Sequence, residues 1–454
     1  MNIIIVGVGY VGLVTGLCFA KLGHQVYFFD IDSNKINRLK NGKLTFYEPD
    51  IKELLIETKD VVHFSDELND LNDYEIIFIC IGTPTTGNGI DLSYVKKSAE
   101  KIGSLLKEGR RYPVIVVKST VLPGTTKNIV LPILEKFSNK NAGKDFGLCM
   151  NPEFLREGSA VEDFLNPDRV VIGSFSDKEK KIMGEFYTAM FENADIINTN
   201  LTTAEIVKYT SNSFFPLLIS FSNEVANICE IAGEKADAEE VLNALWLDRR
   251  ISPLIDGKRL KPGITHYLKA GCGFGGSCFP KDLRAFIQFS KNLDYKPNLL
   301  ESILYVNDFR ITNLIKRVEE SIGSLKGRSV AVLGLSFKPD TDDIRESPSI
   351  KLISELLMRK TKVKAHDPVA IENTKKILGN EKNLEFCDDV FDALKGTDAC
   401  FVVTSWEDYF KISQDDFKKF MKDTVVIDCR RIYNPNNMNK IKYIGVGLKD
   451  DFEK

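Results

Sequence analysis

Residues 2–12 constrain this chain more than any other segment. An apolar run, NIIIV at 2–6, passes directly into GVGYVG at 7–12. A short apolar run bounded by glycine suits a strand buried on both faces. Helical patterning follows to Lys21, Gly23 stops it, and residues 26–29 form a second apolar run ending at Asp30. Strand, glycine turn, helix and strand together open a βαβ unit.

The glycines at 7, 9 and 12 each have a physical role in such a unit. Gly7 permits the tight turn, Gly9 lets a pyrophosphate approach the backbone, and Gly12 lets helix and strand pack closely. The helix N-terminus then faces the phosphates. Asp30, about twenty residues beyond the turn, is placed to accept hydrogen bonds from the adenosine ribose. A carboxylate there repels a 2′-phosphate, so NAD is expected over NADP.

Residues 3–20 are an uncharged run that length alone would admit as a membrane helix or signal peptide. Four glycines interrupt it and no basic segment precedes it, so the βαβ reading is preferred. Lys and Arg number 61 against 64 Asp and Glu, a net charge of −3, which argues against nucleic acid or an anionic membrane as main partner. Nine cysteines occur without a CxxC pair, so neither a disulfide framework nor a zinc ribbon is supported and a cytoplasmic setting is expected.

Further apolar runs at 75–80, 114–117, 147–150 and 169–172 extend the parallel sheet, with a helix over 99–106. Residues 203–233 and 237–247 carry 3.6-residue periodicity, 253–277 reads as loop, and helices are expected over 280–290 and 299–322. A second βαβ pattern opens at 330–333, continues with a helix over 349–359 and a strand at 362–365, and adds strands at 400–403 and 425–427. The expected class is α/β: two Rossmann-like, doubly wound domains at 1–198 and 323–454, joined by a helical segment at 199–322.

The candidate chemistry lies outside the glycine turn. Residues 81–84 (IGTP) and 118–120 (KST) follow strands at their carboxyl ends, where such sheets bind ligands. The stretch 271–282, GCGFGGSCFPKD, is a glycine-rich loop whose backbone could approach a ligand closely. Pro280 suits a helix first turn. Cys278 would then precede a helix N-terminus with Lys281 nearby, and both features favour thiolate. Cys272 is its local competitor. In NPEFLREG at 151–158, Glu153 and Glu157 are four apart, which in a helical turn puts both carboxylates on one face. Lys208 and Asn212 share the same spacing on a mostly apolar helix. The four histidines are scattered singly, giving no metal cluster, and no GxSxG elbow occurs. A nicotinamide site with an activated cysteine suggests aldehyde-to-acid oxidation, in which thiolate attacks an aldehyde, hydride leaves, and a carboxylate such as Glu153 directs water at the thioester.

These motifs, with EIVKYTSNSF at 205–214, GLSFKPDTDDIRES at 334–347 and CRR at 429–431, resemble the UDP-glucose/GDP-mannose dehydrogenase family over nearly the whole chain. The resemblance implies two Rossmann-like domains, a helical dimerisation segment, and double oxidation of a nucleotide-sugar C6 alcohol by two NAD and one water. It makes Cys278 the nucleophile. Lys208, Asn212 and Asp282 hold the nucleophile, a water and the developing oxyanion, and Thr120 and Glu153 lie near the hydrolytic water. On the cofactor side it implies Gly7, Gly9, Tyr10, Val11, Gly12, Asp30 and Lys35, then Gly82, Thr83, Thr120, Glu157 and Arg345. On the sugar-nucleotide side it implies Glu153, Phe154, Leu155, Glu157, Lys208 and Asn212. The loop over uridine and pyrophosphate brings Tyr267, Leu268, Lys269, Gly271, Gly273 and Gly275, and the last domain brings Phe337, Lys338 and Arg430.

One departure concerns the family's short Asp-x-Arg-Ile-Gly run. Here Asp248-Arg-Arg-Ile251 is followed by Ser252 and a longer stretch before Tyr267. The family's cross-subunit arginine corresponds to Arg250 or Arg259, with Arg250 preferred. UDP-glucose is the expected substrate, UDP-N-acetylhexosamine or GDP-mannose the alternatives, and a non-catalytic nucleotide-sugar sensor the rival from another class. Phe214, Phe215, Leu218, Ile219 and Phe221 exceed what one helix face needs, which points to a partner helix and a homodimer.

Overall fold

The computed structural model describes residues 1–86, 89–109, 111–232, 235–379 and 381–449, which form two compact units. The first comprises residues 1–211 and 284–292, the second 212–283 and 293–454. Among the described residues no helix is long and apolar enough to cross a membrane.

The first unit is built on eight strands: β1 Asn2–Val6, β2 Gln25–Phe29, β3 Val62–Ser65, β4 Ile76–Ile79, β5 Val114–Val117, β6 Gly147–Met150, β7 Arg169–Ser174 and β8 Asp195–Asn200. Their order is β8-β7-β6-β5-β4-β1-β2-β3. All pairs are parallel except β6 with β7. Strand residues alternate between faces. Ile3 and Ile5 therefore enter one apolar cluster with Leu13 and Leu17 of helix α1 (Tyr10–Lys21), while Ile4 and Val6 enter the opposite one with Ile102 and Leu134. Both faces of β1 are covered, and the order reverses around β1 and β4, where such sheets open a ligand crevice.

Buried polar groups tie the strand ends. Lys118 follows β5, is 5% exposed, and donates from Nζ to Asn151 Oδ1 at 3.0 Å. Asn151 follows β6, accepts the Tyr187 hydroxyl at 2.5 Å and donates to the Val171 carbonyl of β7 at 2.8 Å. One amide thus joins three adjacent strands. Burial holds the Lys118 ammonium down to about 8, against opposing help from Cys80 and Glu153 and a further push from Lys208.

The second unit combines helices with six parallel strands: β9 Ser329–Leu333, β10 Lys362–His366, β11 Leu384–Phe386, β12 Ala399–Val402, β13 Val425–Asp428 and β14 Lys442–Gly445, in the order β11-β10-β9-β12-β13-β14. Its helices include α2 (Leu201–Ile231, from residue 212 on), α3 (Ala238–Trp246), α5 (Asn298–Ile322) and α6 (Pro348–Met358). The helix α4 (Phe279–Lys291) begins in this unit and passes to the first at Arg284. Ile311, Leu314 and Ile315 of α5 pack with Val330 and Val332 of β9. Next to them on α5, Arg310 is fully buried and its guanidinium clasps Glu230 at 2.6 Å, Asn227 and the Gly271 carbonyl at 2.9 Å.

One expectation falls partly outside the described residues and another changes. Gly233, placed at the end of the first central helix, lies outside the described residues. The segment 253–277 is not loop throughout. Leu254–Ile255 pairs antiparallel with Lys258–Arg259 across Asp256 and Gly257, whose φ values are 49° and 74°. Asp-Gly with both residues left-handed is a type I′ hairpin turn, and that signal was present in the sequence.

Two outcomes follow from these buried charges. Arg310→Met leaves Glu230 with one arginine, Arg317 at 2.9 Å, in place of two. Denaturant unfolding should show a loss of about 3–5 kcal/mol, the usual cost of breaking a buried pair. Lys118 in the folded chain loses its proton at about 8, while an unfolded lysine keeps it to 10.5. Its charged form therefore costs stability at neutral pH, and relative to Lys118→Met the chain should gain stability as pH rises through that window. NMR titration of the lysine amines should find one midpoint near 8, and all midpoints at ordinary values would contradict this.

Candidate active site

In the first unit the glycine turn is built as the sequence implied. Gly7 adopts φ 97°, and its N–H donates to the Phe29 carbonyl at 2.8 Å. A Cβ on Gly12 would sit 1.9 Å from the Gly7 carbonyl oxygen, so only glycine lets α1 seat on the turn. Gly16 does the same one turn later, 2.3 Å from the Phe28 ring. By contrast, a Cβ on Gly9 or Gly82 would meet nothing within 4 Å. No side chain caps α1, so its first-turn donors, which include Tyr10 and the half-buried Val11, are presented without a side-chain acceptor. An open glycine turn leading into an uncapped helix fits a pyrophosphate.

Asp30 ends β2. Its Oδ2 accepts the Val8 N–H at 2.8 Å and the Lys35 ammonium at 3.0 Å, and Oδ1 accepts the Asp32 N–H at 3.0 Å. A carboxylate offers about four acceptor positions, so one remains for a ribose hydroxyl. The second unit repeats the device with a different outcome. Asp367 after β10 accepts from Leu335 N–H, Ser336 N–H and hydroxyl, Val369 N–H, Ala370 N–H and Trp406 Nε1, and is 2% exposed. Its acceptor capacity is spent on protein. The two βαβ units share a backbone plan, but only the first keeps the open glycine turn and the accessible aspartate that fit a dinucleotide.

The two βα loops after β4 and β5 are linked, because the Thr83 hydroxyl donates to the Thr120 carbonyl at 2.7 Å. Beyond them, Glu205 of α2 is fully buried and accepts the N–H groups of Gly124 (2.5 Å) and Thr126 (2.8 Å). Sequence reading missed Glu205, which fixes the loop after Thr120 to the helix that carries Lys208.

Residues 151–158 are irregular rather than helical, so the expected shared helical face of Glu153 and Glu157 does not form. Pro152 follows Asn151, whose side chain is held between strands, and this keeps the segment extended. Glu153 is 7% exposed and Glu157 half-buried. Glu153 Oε1 lies 2.8 Å from Lys208 Nζ, and Oε2 accepts the Leu155 N–H at 2.6 Å. Burial raises the Glu153 carboxyl, but the Lys208 ammonium, the Leu155 N–H and Lys118 outweigh it and leave the group below the usual carboxylate value. Glu153 is therefore ionised at neutral pH. Phe154 lies under two cations, Arg169 at 4.1 Å and Lys208 at 5.6 Å from its ring centroid.

In the second unit Cys278 stands immediately before α4, and its carbonyl accepts the Asp282 N–H at 2.8 Å. Pro280 lies in the first turn as expected. Of nine cysteines, eight are buried and Cys278 is the exception. Its Sγ is 3.4 Å from the Ser277 hydroxyl. Asp282 is 1% exposed, bonds the Lys281 ammonium, and accepts Asn212 Nδ2 at 2.6 Å. Cys272 is 1% exposed and pairs with the buried Cys429. The hydrogen bond from Cys429, with Arg430 and Arg310 adding to it, pulls Cys272 below the usual thiol value against the effect of burial. Its acidity has no access to a substrate, so it does not compete with Cys278.

The glycines of 271–276 also serve close contacts inside the unit. A Cβ on Gly275 would lie 2.3 Å from the Glu346 carbonyl oxygen, on Gly273 2.6 Å from Asn307 Oδ1, and on Gly271 3.2 Å from Arg430 Nη1. Asn223 accepts the Gly271 N–H at 2.8 Å and Asn307 the Phe274 N–H at 2.7 Å. Phe337 packs on Gly276, its carbonyl accepts Arg430 Nη2 at 3.4 Å, and Lys338 lies 5.8 Å from its ring. Tyr267 stacks on Phe215 at 4.4 Å, Leu268 is buried and Lys269 exposed. Arg345 lies 2.7 Å from Asp343. Arg259 donates to the carbonyls of Leu247 (2.7 Å) and Ser252 (2.8 Å) and closes the hairpin, whereas the exposed Arg250 bonds Asp248 at 2.7 Å.

Comparison with known proteins agrees with this division of labour. Residues 1–191 match the NAD binding domain of the UDP-glucose/GDP-mannose dehydrogenase family, 202–309 its central domain, and 331–435 its UDP binding domain. The chain is 40% identical to UDP-glucose 6-dehydrogenase TuaD of Bacillus subtilis over 98% of its own length and 92% of the relative's. It is 38% identical to UDP-glucose 6-dehydrogenase AglM of Haloferax volcanii, covering 95% and 97%. A solved UDP-glucose dehydrogenase from Pyrobaculum islandicum superimposes with a TM-score of 0.88 at 35% identity, covering 98% and 97%. On the glycine turn with Asp30, the Cys278 loop and these full-length matches, the chain belongs to the UDP-glucose/GDP-mannose dehydrogenase family.

Proposed function

We propose that this chain is an NAD-dependent UDP-glucose 6-dehydrogenase that converts UDP-glucose, two NAD+ and one water into UDP-glucuronate, two NADH and three protons. The observation that carries the reading is Cys278, the one cysteine of nine that is not buried, set at the start of α4 beside the Asp282–Asn212 pair. Full-length identity to UDP-glucose 6-dehydrogenases supports the substrate. Bound NAD would supply the hydride acceptor for each oxidation. Asp30 would hold the adenosine ribose, with Lys35 beside it, and the turn of Gly7, Gly9 and Gly12 would receive the pyrophosphate.

The first oxidation turns the C6 alcohol into an aldehyde. Cys278 Sγ adds to the aldehyde carbon, and the new oxyanion is stabilised by Lys208 and Asn212. Loss of a second hydride from that carbon leaves a thioester on Cys278. Glu153, ionised because Lys208 holds it so, takes a proton from water, whose oxygen bonds to the carbonyl carbon as the C–S bond breaks. Asp282 holds Asn212 in place, and Thr120 lies by the water. The segment from Tyr267 through Gly275, with Phe337, Lys338 and Arg430, takes the uridine diphosphate. Glu157 and Arg345 border the nicotinamide side.

We assign the domains as 1–198 for NAD, 199–322 for the helical segment and Cys loop, and 323–454 for the UDP-sugar. Phe214, Phe221, Ile228 and Ile231 are exposed on α2, at 44, 47, 57 and 79%, which supports a homodimer on that helix, with Arg250 crossing between subunits. Nine free thiols support a cytoplasmic setting. A sensor on this fold would need neither a half-buried reactive thiol nor an ionised Glu153, which disfavours that rival.

Two measurements test the reading. UDP-glucose should yield two NADH per molecule without free aldehyde, and faster than UDP-N-acetylhexosamines or GDP-mannose; one NADH with aldehyde released would sink it. Sedimentation at micromolar concentration should give a dimer, and a monomer would refute the assembly.

A further inference from the structure

Glu48 lies in no motif, yet it is 4% exposed in a loop of the first unit. Its Oε2 accepts the Tyr10 hydroxyl at 2.6 Å and the Gly158 N–H at 2.7 Å, and its Oε1 accepts the Ala160 N–H at 2.7 Å. Tyr10 is the first residue of α1, directly after Gly9. Gly158 ends the irregular segment that carries Glu153 and Glu157, and Ala160 opens the short helix Ala160–Leu165. Gly158 holds φ 85°, a conformation that presents its N–H at the cost of excluding a side chain. Burial, reinforced by Glu48, pushes the Tyr10 phenol well above its ordinary value, so it remains a donor across the working pH range. The Tyr10 ring also packs on Phe46, 4.9 Å between centroids, two residues before Glu48.

We propose that Glu48 is a positioning residue that fixes the Glu153–Glu157 segment relative to the pyrophosphate turn. One carboxylate spans the cofactor helix and the loop of the hydrolytic base, so cofactor binding and thioester hydrolysis share a support. This rests on the function proposed above for Glu153, but the contact with Tyr10 ties Glu48 to the glycine turn independently of that function. Glutamine cannot replace it, because its NH2 group would point at an N–H or O–H donor where the carboxylate accepts.

Glu48→Gln and Tyr10→Phe test this. Calorimetry in the absence of sugar should show NAD bound about tenfold more weakly by Glu48→Gln and about threefold by Tyr10→Phe, the scale of one or two lost hydrogen bonds. The double variant should be no weaker than Glu48→Gln, since both changes remove one contact. With UDP-glucose, Glu48→Gln should lower kcat and raise the KM for NAD while the KM for UDP-glucose stays unchanged. The first-turnover NADH burst should stand higher above the steady rate, because hydrolysis slows. Unchanged NAD affinity in both variants, or equal loss in the two KM values, overturns the proposal. If Glu48→Gln misfolds by circular dichroism, Tyr10→Phe alone decides it, as it removes only a hydroxyl. If the unmodified protein forms no NADH from UDP-glucose, the functional reading fails, and the calorimetric result still stands or falls on its own.

Discussion

Gly12 lets α1 press onto the turn at Gly7 until a single added carbon would stand 1.9 Å from the Gly7 oxygen. The rest of the first unit's site is referenced to that contact. Because α1 is seated there, Tyr10 reaches Glu48, and Glu48 in turn holds Gly158 and Ala160. Because the turn is tight, Val8 presents its N–H to Asp30, which fixes the carboxylate beside the turn. A larger side chain at this position would displace the helix start, Asp30 and the carboxylate loop together. The requirement is steric, so no compensating hydrogen bond could relieve it.

The second unit solves a similar problem by polar means. Its Cys278 loop is fixed from below by Asn223, Asn307 and Arg310, which hold Gly271 and Phe274 by their backbones. Burying a guanidinium is costly, and Glu230 together with Asn227 and the Gly271 carbonyl offsets that cost. These contacts hold the loop although five of residues 271–277 are glycine or serine. A nucleophile on a rigid support needs less ordering when substrate arrives.

Much of this was legible in the sequence. The central strands are apolar on both faces, so β1, β2, β4, β5, β9 and β12 stood out as unbroken runs. The strands that escaped notice, β3, β8, β11 and β14, all lie at or near sheet edges, where polar residues such as those in DIINTN at 195–200 are common. Motif spacing singled out Asp30 and Cys278, and it placed them correctly in the fold, at the end of β2 and just before α4. It misplaced Glu153 and Glu157 on a helical turn because four-residue spacing has that meaning only inside a helix. Glu48 and Arg310 carried no sequence signal, since their partners lie 110 and 80 residues away in the chain, and Glu205 stood in a quoted motif without a role because its partner Thr126 is 79 residues away. A supporting polar residue is defined by what folds against it, and periodicity does not report that.

The central claim is that oxidation proceeds through a covalent bond to Cys278. Its most direct measurement is the intact mass of Cys278→Ser after exposure to UDP-glucose and NAD. Serine can form an ester, but that ester hydrolyses far more slowly than a thioester in the same site. The account predicts an added mass corresponding to the uronyl nucleotide, localised to residue 278 by peptide mapping. An unmodified mass, together with near-normal turnover to the uronate by Cys278→Ala, would contradict it.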